Sequence, residues 1–343
     1  MIKQWLSKTN KVVFIIYSIA AAFGAYFCMY AFRKPFSVAT FEGLSLWGMI
    51  DFKILLVISQ VIGYMLSKFI GIKVISEMKR SKRALYLIAL IGAAELALLF
   101  FGLVPYPYNF IFLFLNGIPL GMIWGIVYSY LEGRASSEFL GAGLSASFII
   151  SSGAVKSIGK VVLDWGVSEF WMPFITGAFF ILPLLLFAYM LEQIPPPSEE
   201  DIALRTKREP MKGPERRRFF INFSFGLVSL VIFYMALTAY RDFRDNFARE
   251  LWDALGYGDT PEIFTLAEIP IAVIILIVLG MTMFIRNNRK AFFVYHYLIL
   301  ASLLLIGITT FLLQQQAINP AVWMISVGLG LYVSYVPFGC IFY

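Results

Sequence analysis

The chain has 343 residues, of which 60% are hydrophobic and only 14% charged, with a mean hydropathy of +0.79 and a formal net charge of +7. A soluble domain needs about 25% charged residues to wet its surface, so this composition excludes a soluble globular protein and points to a polytopic membrane protein. One histidine and two cysteines, Cys28 and Cys340, both inside apolar runs, argue against a zinc site, a disulfide framework and most histidine-based catalysis.

A spanning helix needs about 20 mainly apolar residues. Ten such runs follow one another: 12–32, 52–70, 84–101, 108–130, 140–162, 170–191, 219–240, 263–285, 291–313 and 321–341. The first is too long for a cleavable signal, and no small-residue cleavage site precedes Arg33 and Lys34. The positive charge sits in short clusters between the runs, a membrane pattern and not a nucleic-acid one. Lys3, Lys8 and Lys11, the cluster from Lys73 to Arg83, Arg134, the seven basic residues after the sixth run, and Arg286, Arg289 and Lys290 put nineteen of the 28 basic residues on one face. By the positive-inside rule that face is cytoplasmic, in a bacterial inner membrane, and it carries the N-terminus.

The sixth connection, 192–218, is rich in proline and charge and reads as a solvated cytoplasmic linker. It divides an all-α chain into a six-helix bundle, 1–191, and a four-helix bundle, 219–343, the layout of carriers built from two repeated bundles. A second half as long as the first would run about 55 residues beyond Tyr343, room for two more spans, so the expectation is a carrier lacking its eleventh and twelfth helices.

Charges inside such runs persist where they face a bundle interior or a wet cavity. Arg33 and Lys34 end the first run. If the helix continues past Pro35, Arg33 lies well inside the bilayer; otherwise the pair ends the helix and snorkels to the outer headgroups. Tyr26 and Tyr30 share the face of Arg33 at helical spacing. Phe32-Arg-Lys-Pro-Phe-Ser and Phe243-Arg-Asp-Asn-Phe-Ala form a short internal repeat, each where the first helix of its half ends. Arg244 then mirrors Arg33, with Arg241 one turn away as a competitor, and Asp242, Asp245 and Glu268 near enough to neutralise both. In the fifth run, Lys156 is deep and Lys160 shallower. His296 reads as an interhelical donor before it reads as a proton relay.

These residues resemble the major facilitator superfamily and, within it, the organophosphate:phosphate antiporter family. The motif Tyr-x3-Tyr-x2-Arg-Lys stands here as Tyr26, Tyr30, Arg33 and Lys34, and Gly63-Tyr-Met-Leu-Ser-Lys-Phe-Ile70 is similar to the family's second helix, matching Tyr64 and Lys68. The loop signature after it appears as Glu77 followed by Lys79, Arg80, Lys82 and Arg83. Gly121-Met-Ile-Trp124 and Tyr335-Val-Pro337 resemble motifs of the fourth and tenth helices. The resemblance implies a two-bundle carrier in which Arg33 and an arginine of the seventh helix clamp a substrate phosphate, while Tyr26, Tyr30, Lys34, Tyr64, Lys68 and Tyr335 line the path. Glu77 with Lys79, Arg80 and Arg83 would gate the cytoplasmic side. The chain departs from the family at three places: Ser151 or Ser152 stands near the place of a fifth-helix histidine, Pro35 follows Lys34 in place of Asn, and the second loop signature, at 280–290, has no acid.

The expected function is secondary exchange of a small organic anion, a phosphate ester for phosphate, by a monomer that uses no cofactor or metal and is not an enzyme. Two alternatives stand beside it: a proton-coupled carrier of another solute with Glu268 or His296 titrating, and a receptor or scaffold that keeps the fold without transporting.

Overall fold

The computed structural model describes residues 2–134, 137–203, 213–282, 285 and 287–340. In chain order the elements are α1 (Ile2–Leu6), α2 (Lys11–Ala31), a 3-10 turn (Pro35–Val38), a two-stranded hairpin of β1 (Ser45–Leu46) and β2 (Ile50–Asp51), α3 (Phe52–Ser76), α4 (Arg83–Leu103), α5 (Phe110–Leu120), α6 (Ile123–Tyr128), α7 (Ser137–Asp164), α8 (Met172–Phe179), α9 (Ile181–Glu192), α10 (Glu199–Ala203), α11 (Gly213–Asn246), α12 (Ala248–Ala254), α13 (Ile263–Leu266), α14 (Glu268–Thr282), α15 (Asn288–Gln314) and α16 (Pro320–Cys340). Among the described residues nine helical stretches are long and apolar enough to cross a membrane, and the bent pair α8–α9 brings the number to ten if it forms one span. The ten apolar runs fall on these helices. Arg205, Lys207, Arg208 and Lys212 of the linker, Arg286, and the last residue of the tenth run lie outside the described residues.

Proline explains two of the boundaries. The bend of 44° between α8 and α9 falls at Phe179–Phe180. Pro183 has no N–H for the carbonyl of Phe179 four residues earlier, and its ring crowds that carbonyl, so a straight helix cannot pass. Pro35 acts similarly on α2. The expectation that the first helix runs on past Pro35 is corrected: α2 stops at Ala31, the amides of Arg33 and Lys34 both fold back onto the Tyr30 carbonyl, and Pro35 opens the 3-10 turn. The alternative, a snorkelling pair, fails as well. Arg33 and Lys34 are buried, at 6% and 2% exposure.

Small residues set the closest helix contacts. α3 and α5 meet backbone to backbone: a Cβ at Gly63 would lie 2.1 Å from the Phe114 carbonyl oxygen, and one at Gly117 would lie 2.3 Å from that of Gln60. Across the chain, α7 packs against α13, α14 and α16, and Gly153 lets its backbone come close to that of α13. A Cβ there would lie 2.2 Å from the Phe264 carbonyl oxygen.

One apolar cluster draws only on residues 14–194. A second joins Phe36, Phe41, Phe52 and Met172 to Trp252, Phe264 and Met324, so residues before and after the linker share a core around the 3-10 turn. At that turn the Glu169 carboxylate accepts hydrogen bonds from the Thr40 amide at 2.8 Å and the Phe41 amide at 3.1 Å. They hold Phe41 at a positive φ of 52°. The apolar middles of α11 and α15 are by contrast mostly exposed, as lipid-facing helices are.

Candidate functional site

The cations of the sequence analysis converge where the end of α2, the middle of α7 and the last two turns of α11 meet. Asp245 is the hub. Lys34 Nζ and Lys156 Nζ each lie 2.5 Å from its carboxylate, and Ser152 Oγ donates to it as well. Lys34 also donates to Asn246 Oδ1 at 2.8 Å. Lys34 and Asp245 occupy the same place in the six-residue repeat, so the two copies of that motif touch through an ion pair. Ion pairs this deep are held by geometry more than by net energy, because desolvation offsets much of the attraction.

The two arginines in the last turns of α11, Arg241 and Arg244, are each neutralised. Arg244, 5% exposed, pairs with Glu268 at 2.8 Å and donates to the Met324 carbonyl at 3.3 Å. Arg241 pairs with its neighbour Asp242 at 2.7 Å and lies 4.4 Å from the Tyr335 ring centre. Tyr335 in turn accepts a hydrogen bond from the Tyr234 hydroxyl at 3.1 Å.

Arg33 differs from every other cation in the cluster. Its guanidinium stacks 4.0 Å from the Tyr64 ring centre, and among the described residues no carboxylate forms a direct ion pair with it, although Asp242, held by Arg241, is near enough to act on it electrostatically. Lys68 flanks the same ring at 4.8 Å. Tyr26 and Tyr30, both buried, meet edge to face on the adjoining turns of α2. The main chain of Arg33 is fixed from the α3–α5 pair. Gln60 Nε2 donates to the Arg33 carbonyl at 3.0 Å and to Asn116 Oδ1 at 2.8 Å, and Asn116 Nδ2 donates to the Phe32 carbonyl at 3.0 Å.

Counted together, the buried and half-buried Arg33, Lys34, Lys156, Arg241 and Arg244 face Asp242, Asp245 and Glu268, an excess of two positive charges, to which the exposed Lys68 adds a third beside Tyr64. Guanidinium and ammonium groups in a low-dielectric site bind anions by charge-assisted hydrogen bonds, and guanidinium does so bidentately to phosphate or carboxylate. Among the described residues no cluster of three His, Cys, Asp or Glu side chains could hold a metal ion.

The chain belongs to the family of unknown function DUF5690, whose model matches residues 35–343. No curated protein matches it. The DUF5690 match begins just after Lys34 and takes in Tyr64, Lys156, Asp245, Arg244 and Glu268, and so most of the charged cluster.

Other residues expected in the site lie elsewhere. Ser151 is buried, but its hydroxyl bonds back to the Ser147 carbonyl, and Ser152 is the serine that reaches Asp245. Glu77 is exposed at the end of α3, with no ion pair to the loop cations among the described residues. Lys79 is exposed beside it. Arg80 donates to the Ile194 carbonyl at 2.7 Å, and Arg83 to that of Ser129 at 2.8 Å. Both contacts tie the first six spans to one another. Lys160 pairs with Asp164 on its own helix, and His296 bonds the Phe292 carbonyl of its own helix. Gln60 and Asn116 were missed, and their signal was plain: each is an amide in the interior of an apolar run.

Proposed function

We propose that this DUF5690 protein is a secondary carrier of a small organic anion, of major-facilitator type, with Arg33 as the principal anion-binding group. A phosphate monoester suits the site best. Its charge near neutral pH, about −1.5 to −2, balances the excess of two positive charges. The observation that carries the reading is Arg33 itself: a buried guanidinium with no carboxylate of its own, backed by an aromatic face and held by its main chain. Such a group is costly to keep unless an anion visits it.

The Lys34–Asp245–Lys156 cluster acts as the gate. It draws the two repeat motifs together at one end of the helices, and an arriving anion competes with Asp245 for Lys34 and Lys156. Rocking of the first six spans against the rest, with the N-terminus and linker on the cytoplasmic side, then alternates access to Arg33. The loop of Glu77, Lys79, Arg80 and Arg83 has no part in this gate.

The test is exchange in proteoliposomes loaded with inorganic phosphate and offered labelled phosphate monoesters. Wild-type protein exchanges them, and Arg33→Lys, which keeps the charge but loses the bidentate fork, falls to background with its thermal stability unchanged. Exchange by Arg33→Lys at the wild-type rate would refute the assignment.

A further inference from the structure

α4 carries a single carboxylate, Glu95, in the middle of its apolar length. The side chain is 7% exposed, and neither Oε1 nor Oε2 has a hydrogen-bond partner. It presses on the backbone of α8: a Cβ at Gly177 would lie 2.3 Å from Oε2. Thr176, the residue before, is fully buried, with a hydroxyl that also lacks a partner.

No cation faces the carboxyl from the elements packed on α4. α5 offers only Asn116, α8 only Thr176, and α6 only the aromatic Tyr128 and Trp124. On α9 the titratable groups are Tyr189 and Glu192, the latter accepting from Tyr130 at the far end of that helix. Arg80, Lys82 and Arg83 lie at the start of α4, the nearest twelve residues away or about 18 Å along the helix. Among the described residues an ionised carboxylate in this seam has neither a counter-charge nor a hydrogen-bond donor, whereas the neutral acid loses far less on leaving water.

We propose that Glu95 is a proton-binding site: it holds a proton while α4 packs on Gly177 and releases it when that seam opens to water. The seam is placed to move, since Gly177 sits three residues before Phe180, where the sixth span bends. It is also tied to the anion site. Asn116 Nδ2 donates to the Ala94 carbonyl, next to Glu95, at 3.0 Å, and the same amide bonds the Phe32 carbonyl and, through Gln60, that of Arg33. A shift of α4 therefore pulls on the main chain that carries Arg33, and, on the carrier reading alone, proton and anion movements are coupled.

The test is an infrared pH titration of the full chain in lipid nanodiscs, as wild type, Glu95→Gln and Glu95→Asp. The expected result is a carboxylic-acid carbonyl band at neutral pH in wild type that fades as the pH is raised, is lost in Glu95→Gln and is shifted in frequency in Glu95→Asp. A protonated-carboxyl band identical in wild type and both variants, or no such band in wild type at neutral pH, would overturn the assignment. The measurement needs no substrate, so failure of the exchange assay leaves this result standing, and the converse also holds.

Discussion

Arg33 and Arg244 occupy the same place in two copies of one short motif, and both are buried, yet their surroundings are opposite. Arg244 has a carboxylate at 2.8 Å and a backbone carbonyl beside it. Arg33 has an aromatic ring beneath it and no direct ion pair with a carboxylate among the described residues. The comparison separates two uses of a buried guanidinium: one is committed to structure, the other is left to an external anion. Like sequence at equivalent places does not decide which; the partners supplied by other helices do. Glu268 on α14 supplies Arg244, whereas α3 gives Arg33 only Tyr64 and Gln60.

The largest effect that can sharpen this contrast is on stability. Arg244→Gln leaves Glu268 buried and unpaired and is expected to cost about 3–5 kcal/mol, read as a fall in the thermal or denaturant midpoint of the detergent-solubilised protein. Arg33→Gln removes a buried charge that has no direct ion pair among the described residues, and is expected to leave that midpoint far less changed. Equal losses in the two variants would show that Arg33 is a structural cation after all.

A smaller effect tests the seam that brings the cations together. Gly153→Ala places a methyl group against the Phe264 carbonyl oxygen, 2.2 Å from the unrelaxed Cβ position, so α7 and α13 must part. The expected cost is about 1–3 kcal/mol. A wild-type midpoint would mean that this packing is not maintained in solution.

Much of the helical order was legible from the sequence because most spans are long apolar runs bounded by polar residues or, between the third and fourth, by prolines. The breaks were harder. Pro183 lies past the middle of the sixth run, and the bend falls four residues before it, at Phe179–Phe180, where its ring meets the carbonyl of the preceding turn. Pro35 carried a visible signal, yet the burial of Lys34 depended on Asp245, more than two hundred residues away, and no local pattern encodes that distance. The members of the charged cluster could be named from their place inside apolar runs. Their pairing could not: Arg241 and Arg244 lie three residues apart on one helix, and only the arrival of Glu268 beside Arg244 and Tyr335 beside Arg241 tells them apart. Glu95 is a lone carboxylate in an apolar run with no motif around it, and its want of a partner depends on what α8 brings against it. The same rule that drew attention to Arg33 applies to it.

The central claim is that Arg33 is the guanidinium that an external anion binds. Isothermal titration of purified wild type, Arg33→Lys and Arg244→Lys with phosphate monoesters and inorganic phosphate tests it most directly. Loss of a bidentate charge-assisted contact predicts affinity about ten- to hundred-fold weaker in Arg33→Lys, with a much smaller change in Arg244→Lys wherever that variant stays folded. Anion binding that is indifferent to Arg33→Lys, or that follows Arg244 instead, would contradict the account.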